Sequence, residues 1–151
     1  MPLPARLAFA AVLALSGAAQ AQDGPPPEGR NGPGPGYVLH ADLAYADRSV
    51  DRNVMDIYVP EGVENPPIVV RIHGGGFLVG DKSNPDGLDM FIRAGIAVAS
   101  INYRLSDQAV WPGQYDDLMD AFAFVRANGD ALGYDETRVA SFGASAGGHL
   151  S

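Results

Sequence analysis

The sequence predicts an α/β fold with a mainly parallel sheet, and three observations lead to this expectation. The β-branched run at residues 68–72 is typical of a strand that is buried on both faces of a sheet. Segments with strand and helix patterns alternate along the chain after an opening pair of strands. Two glycine-rich segments each follow a short apolar strand, at the strand ends where open α/β sheets bind ligands.

The elements follow one another in a simple order. Residues 38–45 and 53–59 are predicted to be strands joined as a β-hairpin through a polar turn at residues 47–49. After the strand at 68–72, a helix at 87–94 leads to a strand at 96–101. A helix is expected from near Pro112 to Gly129, and a strand at 139–142 precedes a helix that opens at Ala146. Right-handed crossovers would place helices on both faces of the sheet.

Composition restricts the function classes. The chain has 151 residues, enough for one domain, and its 46% hydrophobic content predicts a packed core. Its formal net charge of -8, without a basic cluster, argues against a nucleic-acid partner. The absence of cysteine excludes disulfides, thiolate metal sites and a cysteine nucleophile.

The N-terminus has the pattern of a secretory signal peptide over residues 1–21. Arg6 precedes an apolar run at residues 7–15, and Ala19-Gln20-Ala21 supplies the small residues that signal peptidase requires. The run is shorter than the roughly 20 residues that span a bilayer, so we expect no stable membrane insertion. Residues 22–36 are predicted to be a Pro/Gly-rich linker and residues 37–151 the folded domain of a periplasmic or secreted protein.

The segment Gly143-Ala144-Ser145-Ala146-Gly147 fits the G-x-S-x-G pattern between a strand and a helix. In that setting a sharp, strained turn lifts the serine hydroxyl out of the sheet, and small flanking residues are a steric requirement. The pattern therefore predicts a nucleophilic serine at Ser145.

The segment from His73 through Gly74, Gly75 and Gly76 to Phe77 directly follows the buried strand. Glycines without Cβ let the backbone turn its N–H groups toward a developing oxyanion. Gly75 and Gly76 are the predicted donors, and the N–H of Ala146 is expected to complete the oxyanion hole. Neither the dinucleotide nor the P-loop glycine spacing occurs, so no cofactor is predicted.

At these residues the chain resembles bacterial carboxylesterases of the hormone-sensitive-lipase and feruloyl-esterase-like groups of α/β-hydrolases. The resemblance covers residues 37–151 and includes the segments 55–60, 102–105, 112–117 and 145–149. It implies that Ser145 is the nucleophile and that Gly75, Gly76 and Ala146 form the oxyanion hole. It also implies that His73 and Gly74 support the oxyanion loop.

In the resembling enzymes the triad acid and histidine follow the serine along the chain. Six residues follow Ser145 here, so we expect the N-terminal part of a hydrolase domain, truncated after the strand-to-helix turn that contains the serine and inactive alone. His149 lies one helical turn beyond the serine, and a packing role is predicted for it. His73, His40 and His149 lack metal-ligand spacing, so no metal site is predicted.

Other polar and aromatic residues are given structural interpretations. An acidic surface face at the start of a helix is predicted for Asp116, Asp117 and Asp120. Trp111 and the run at residues 122–124 are expected to serve core or loop packing.

The predicted function is hydrolysis of a small-molecule or carbohydrate ester through an acyl-enzyme on Ser145. Two alternatives stay open at this point. The same scaffold supports amide or peptide hydrolysis, and a hydrolase fold can also persist as a non-catalytic remnant.

Overall fold

The computed structural model describes residues 36–49, 51–83 and 85–151. The predicted signal peptide and almost all of the predicted linker lie outside the described residues. Eight elements follow in order: β1 (Tyr37–Ala44), β2 (Val54–Pro60), β3 (Pro67–Ile72), α1 (Leu88–Arg93), β4 (Ala97–Ile101), α2 (Gly113–Leu132), β5 (Asp135–Gly143) and α3 (Ala146–Leu150).

The five described strands form one sheet in the order β1-β2-β4-β3-β5. β1 and β2 are antiparallel neighbours, as the hairpin prediction requires, and β2 is also antiparallel to β4. β4, β3 and β5 are mutually parallel, so β2 runs against the other described strands. The predicted mainly parallel α/β sheet with an opening hairpin is confirmed.

Helices cover both faces of the sheet. On one face, alternate residues of the inner strands pack with α2 and α3 in the larger core, which includes Ile57, Val70, Ala99, Val125 and Leu150. On the other face, Val69 and Val98 pack with Ile92 of α1. The β-branched run in β3 is buried on both sides because its successive side chains enter these two cores in turn.

The structure corrects the predicted end of α2. The helix continues to Leu132, and Gly133 ends it with φ 86°, donating its N–H to the Gly129 carbonyl oxygen at 2.8 Å. Gly129 has a different role, because a Cβ there would overlap the Glu136 side chain. The strand predicted at 139–142 is also longer, since its pairing with β3 begins at Asp135.

The arrangement places both glycine-rich segments at one edge. β3 and β5 are adjacent and parallel, with Ile72 in register with Gly143, so the segments that follow them start side by side. β5 is the last strand of the described sheet and pairs with β3 on one side. No described helix is long and apolar enough to cross a membrane.

Candidate active site

Ser145 occupies a strained turn between β5 and α3. Its φ of 55° and ψ of -122° lie in a region that residues with a side chain rarely adopt. The turn is tight because Cβ atoms are absent on both sides: one at Gly143 would overlap the backbone of Gly147, and one at Gly147 would overlap the Ile72 carbonyl oxygen. The strained strand-to-helix turn predicted from the G-x-S-x-G pattern is therefore present.

The loop after β3, residues 73–80, which we call the glycine loop, has an unusual backbone. Gly75, Gly76, Phe77 and Gly80 have φ values of 107°, 61°, 64° and 125°. The Gly75 carbonyl oxygen accepts the N–H groups of Leu78 at 3.0 Å and Val79 at 3.2 Å, which folds the loop back on itself. Glycine is required at position 75 because a Cβ there would overlap the Val79 carbonyl oxygen.

The loop and the turn contact each other. A Cβ at Gly74 would lie 3.5 Å from the Cβ of Ser145 and 2.9 Å from the Ala144 carbonyl oxygen. Within the described residues, the N–H groups of Gly75, Gly76 and Ala146 donate to no backbone carbonyl outside the helices and strands. The structure thus brings together the candidate nucleophile and the segments of the three candidate oxyanion donors.

His73 is buried at the base of the loop. Its ring stacks on Tyr103, with centroids 4.3 Å apart, and the Tyr103 hydroxyl donates to the His73 carbonyl oxygen at 3.0 Å. Nδ1 lies 2.8 Å from the Gly74 carbonyl oxygen, so this nitrogen must carry the hydrogen. Burial lowers the pKa of His73, and the nearby guanidinium groups of Arg52 and Arg71 lower it further. These contacts fit the predicted support role.

An aromatic cleft of about 330 Å³ opens beside the loop. Its walls include Phe77 from the glycine loop, His149 from α3 and Trp111 from the segment before α2. His149 packs its ring against Phe77 and Trp111, at centroid distances of 6.2 and 6.3 Å. Of the predicted core or loop packing of Trp111, the core role is wrong because the residue is 61% exposed, whereas its ring does pack against Tyr115 and His149 in the cleft wall.

Asp117 also departs from the prediction. Its side chain is fully buried, and the Arg104 guanidinium donates hydrogen bonds of 2.7 to 3.0 Å to both carboxylate oxygens. The Arg104 N–H adds a bond of 2.9 Å to the same carboxylate. The pair links the segment after β4 to α2. The cost of burying the charged Asp117 carboxylate is offset by its hydrogen bonds to the planar guanidinium. Asp116 is exposed in the first turn of α2, as predicted, and Asp120 pairs with Arg48 at the surface.

The Lys82 side chain is paired with two carboxylates of the fold. Its ammonium contacts the carboxylates of Asp42 and Asp56, each at 2.7 Å. Burial alone would lower the pKa of Lys82, but these two carboxylates outweigh it and raise the pKa. Among the described residues, no cluster of histidine and carboxylate side chains could hold a metal ion.

Comparison with known proteins identifies the family. The BD-FAE family model matches residues 55–151, more than half of the chain. This chain belongs to the BD-FAE family. The matched region runs from the second residue of β2 through α3 and includes both the glycine loop and the Ser145 turn.

The curated relatives are esterases. The chain is 38% identical over 98 residues to a carboxylesterase of Mycobacterium tuberculosis, NlhH, covering 63% of this chain and 31% of that protein. It is 38% identical over 85 residues to an ethyl acetate hydrolase of Pseudomonas putida, covering 55% of this chain and 27% of that protein. The chain spans about a third of the length of the curated relatives it matches.

Solved structures agree with the assigned fold. A truncated form of a carbohydrate esterase from gut microbiota superposes with a TM-score of 0.70 at 30% identity, over 78% of this chain and 44% of that one. Esterase B from Lactobacillus rhamnosis superposes with a TM-score of 0.68 at 30% identity, over 74% and 36%. The predicted α/β-hydrolase fold is confirmed.

Proposed function

We propose that the protein is a serine carboxylic ester hydrolase with Ser145 as its nucleophile. The observation that carries the proposal is the contact between two strained segments, the Ser145 turn and the glycine loop, at the ends of adjacent parallel strands. Ser145 is exposed, and among the described residues the N–H groups of Gly75, Gly76 and Ala146 donate to no backbone carbonyl outside the helices and strands. Nucleophile and oxyanion donors are the two parts that acyl transfer needs at the reacting carbon.

The chemistry proceeds in two stages. Ser145 Oγ attacks the ester carbonyl carbon while a histidine base accepts the hydroxyl proton, and the N–H groups of Gly75, Gly76 and Ala146 stabilise the oxyanion. Collapse of this intermediate breaks the bond to the alcohol, which leaves with the proton. Water then attacks the acyl-enzyme by the same route and releases the acid. In the resembling enzymes the base and its partner acid follow the serine along the chain, and we propose the same chain order for the complete protein.

Ester substrates are favoured over amides by the relatives, which are named as carboxylesterases, an arylesterase and an ethyl acetate hydrolase. The cleft of Phe77, Trp111 and His149 offers ring faces on which a flat acyl or alcohol group can pack. A small-molecule or carbohydrate ester is the substrate class that we propose. One structural neighbour is named as a carbohydrate esterase, which supports the second option.

The test uses the complete gene product and aryl acetates. We expect saturable hydrolysis in the wild type and a fall in kcat of about 10⁴-fold or more in Ser145→Ala, the scale seen when a triad serine is removed. Ser141→Ala is the matched control, because Ser141 lies on β5 just before the turn and its hydroxyl bonds only the Ser151 carbonyl oxygen among the described residues. Equal turnover in wild type and Ser145→Ala would refute the proposal.

We further propose that the protein is exported to the periplasm or secreted after cleavage between Ala21 and Gln22. The support is the short apolar run followed by Ala19-Gln20-Ala21. Intact-mass analysis of the protein recovered outside the cytoplasm is expected to give a chain that begins at Gln22. A product that retains residues 1–21 or stays in the cytoplasm would contradict export.

A further inference from the structure

Arg52 joins the glycine loop to the rest of the domain. It precedes β2, and its side chain is 11% exposed. The guanidinium donates from Nε to the Tyr103 carbonyl oxygen at 3.0 Å and from Nη2 to the Gly80 carbonyl oxygen at 3.2 Å. Nη2 also lies 3.3 Å from His73 Nε2, and Nη1 lies 3.7 Å from Asp81 Oδ2. One planar group thus reaches four residues, and three of them belong to the segment between β3 and α1.

The contact with His73 has a defined chemical sense. A guanidinium can only donate, so Nε2 of His73 must accept. The Gly74 carbonyl oxygen can only accept, so Nδ1 must donate. Both requirements are met by the neutral ring with its hydrogen on Nδ1. Arg52 and the Gly74 carbonyl therefore select the same tautomer from opposite ends of the ring.

The two ends of the loop meet beneath this guanidinium. A Cβ at Gly80 would overlap the His73 ring and lie 2.7 Å from the Gly74 carbonyl oxygen, so the end of the loop lies against its start. Arg52 donates to both sides of this junction, and Tyr103 stacks on the His73 ring. Three of the four positive φ values lie between these fixed ends, and the fourth is that of Gly80 itself. Such a backbone persists only when its surroundings over-determine it.

We propose that Arg52 is a positioning residue of the oxyanion hole, a clamp that fixes the glycine loop by bonding His73, Gly80 and Tyr103 together. This role rests on the proposed function, in which the N–H groups of the loop stabilise the oxyanion. Arg52 acts through His73 and the loop backbone and does not contact the reacting atoms. Its removal would leave Ser145 and the fold in place but would let the N–H groups of Gly75 and Gly76 move away from the oxyanion.

Kinetics separate this role from general stabilisation. Loop N–H groups bind the oxyanion of the transition state more strongly than the substrate carbonyl, so their displacement lowers kcat and changes KM little. We expect Arg52→Met to lower kcat by about 100-fold, the scale expected for a misplacement near 1 Å or the loss of one oxyanion donor. Arg52→Lys keeps the charge but cannot span four partners with a single ammonium, so most of the loss is expected to remain.

The experiment uses the complete gene product with Arg52→Met, Arg52→Lys and the control Arg93→Met. Arg93 is matched as an arginine that bonds one carboxylate, Asp89 on α1, and lies on the other side of the sheet from the larger core. Steady-state kinetics on an aryl acetate give kcat and KM, and they are measured at a temperature at which every variant is folded. The second readout is the ¹⁵N spectrum of His73, in which the wild type is expected to show the Nδ1–H form with Nε2 accepting a hydrogen bond. Arg52→Met is expected to keep the hydrogen on Nδ1, which the Gly74 carbonyl oxygen holds, but to shift the Nε2 resonance to that of a nitrogen without this bond.

The outcomes are distinct. A kcat loss with nearly unchanged KM in both Arg52 variants, together with the His73 spectral change, supports the clamp. Wild-type kcat in a folded Arg52→Lys, or an unchanged Nε2 resonance of His73 in Arg52→Met, overturns it. If the wild type hydrolyses no ester, the proposed function fails. The His73 spectrum still decides in that case whether Arg52 holds the loop.

Discussion

The glycine loop after β3 and the Ser145 turn after β5 are both strained, glycine-rich and placed at the ends of adjacent parallel strands, but they are held in different ways. The turn is held by its own backbone, because Gly143 and Gly147 approach so closely that no Cβ fits between them. The loop also has no room for a Cβ at Gly75 or Gly80, but it is held in addition by side chains from other parts of the chain, Arg52 and Tyr103.

This difference determines how each region can fail. A turn that depends on missing Cβ atoms is broken by adding one methyl group. A loop that depends on polar contacts can lose its alignment in graded steps, through pH or through a single side chain. A loss of activity can therefore be separated from a loss of stability more easily with substitutions that affect the loop than with substitutions in the turn.

The largest effect is expected for Gly147→Ala. The added Cβ would overlap the Ile72 carbonyl oxygen, and backbone cannot yield as a flexible side chain can. We expect a loss of unfolding free energy of about 3 kcal/mol, the upper end of typical overpacking costs. Thermal and urea unfolding measure it. Gly148→Ala is the matched control on the same helix, because its Cβ would lie 3.1 Å from the Gly143 carbonyl oxygen and require only a small adjustment. Equal stability of the two variants would show that the turn is not held by close packing.

Gly75→Pro tests the loop. Proline cannot adopt the φ of 107° at this position, so the loop must change shape. We expect kcat on an aryl acetate to fall by about 100-fold or more, as when an oxyanion donor is lost. Gly62→Ala serves as the control, since it also places a side chain at a positive φ, 73°, but in open space away from the loop. A kcat within a factor of about three of wild type in a folded Gly75→Pro would remove this loop from the oxyanion hole.

A smaller effect is expected for His149→Ala. The ring contacts Phe77 and Trp111 in the cleft wall, so its loss removes aromatic packing. We expect kcat/KM to fall by less than about tenfold, the scale of one aromatic contact of about 1 kcal/mol. If turnover fell as far as in Ser145→Ala while the protein stayed folded, His149 would be the base and its packing assignment would be wrong.

The smallest effect concerns pH and the loop. Burial lowers the pKa of His73 in the fold, and Arg52 and Arg71 add to this effect, which the hydrogen bond to the Gly74 carbonyl oxygen and, less strongly, Asp81 oppose only in part. The unfolded state therefore binds more protons below the ordinary histidine pKa of 6.5, and stability falls as pH drops from 6.5 toward the lower folded pKa. Urea unfolding between about pH 7.5 and 5.5 is expected to show this slope in wild type and a weaker one in His73→Gln. Asp81, whose pKa is lowered to about 2, responds only below this window. An identical slope in both proteins would mean that His73 is not held neutral.

The sequence predicted the parts of the site that depend on local pattern. The strand-to-helix turn at Ser145 and the loop that begins at His73 are each recognised from a segment of five consecutive residues. In both segments the signal is the run of small residues. The clamp could not be found in this way, because Arg52 contacts residues 21 to 51 positions away in the chain.

The errors have the same origin. Asp117 has the spacing of a surface carboxylate, and only the approach of Arg104 from the end of β4 shows that it is buried. Trp111 is apolar, yet its position in the cleft wall leaves it exposed. Gly129 resembles a helix end by composition, but it accommodates Glu136 instead.

Covalent labelling tests most directly whether Ser145 is a nucleophile beside an oxyanion hole. The complete gene product is treated with a fluorophosphonate, and its intact mass and peptide map are recorded. We predict one adduct per chain, located on Ser145, which is absent from Ser145→Ala and retained in Ser141→Ala. An adduct on another residue of the wild type, or undiminished labelling of Ser145→Ala, would contradict this assignment.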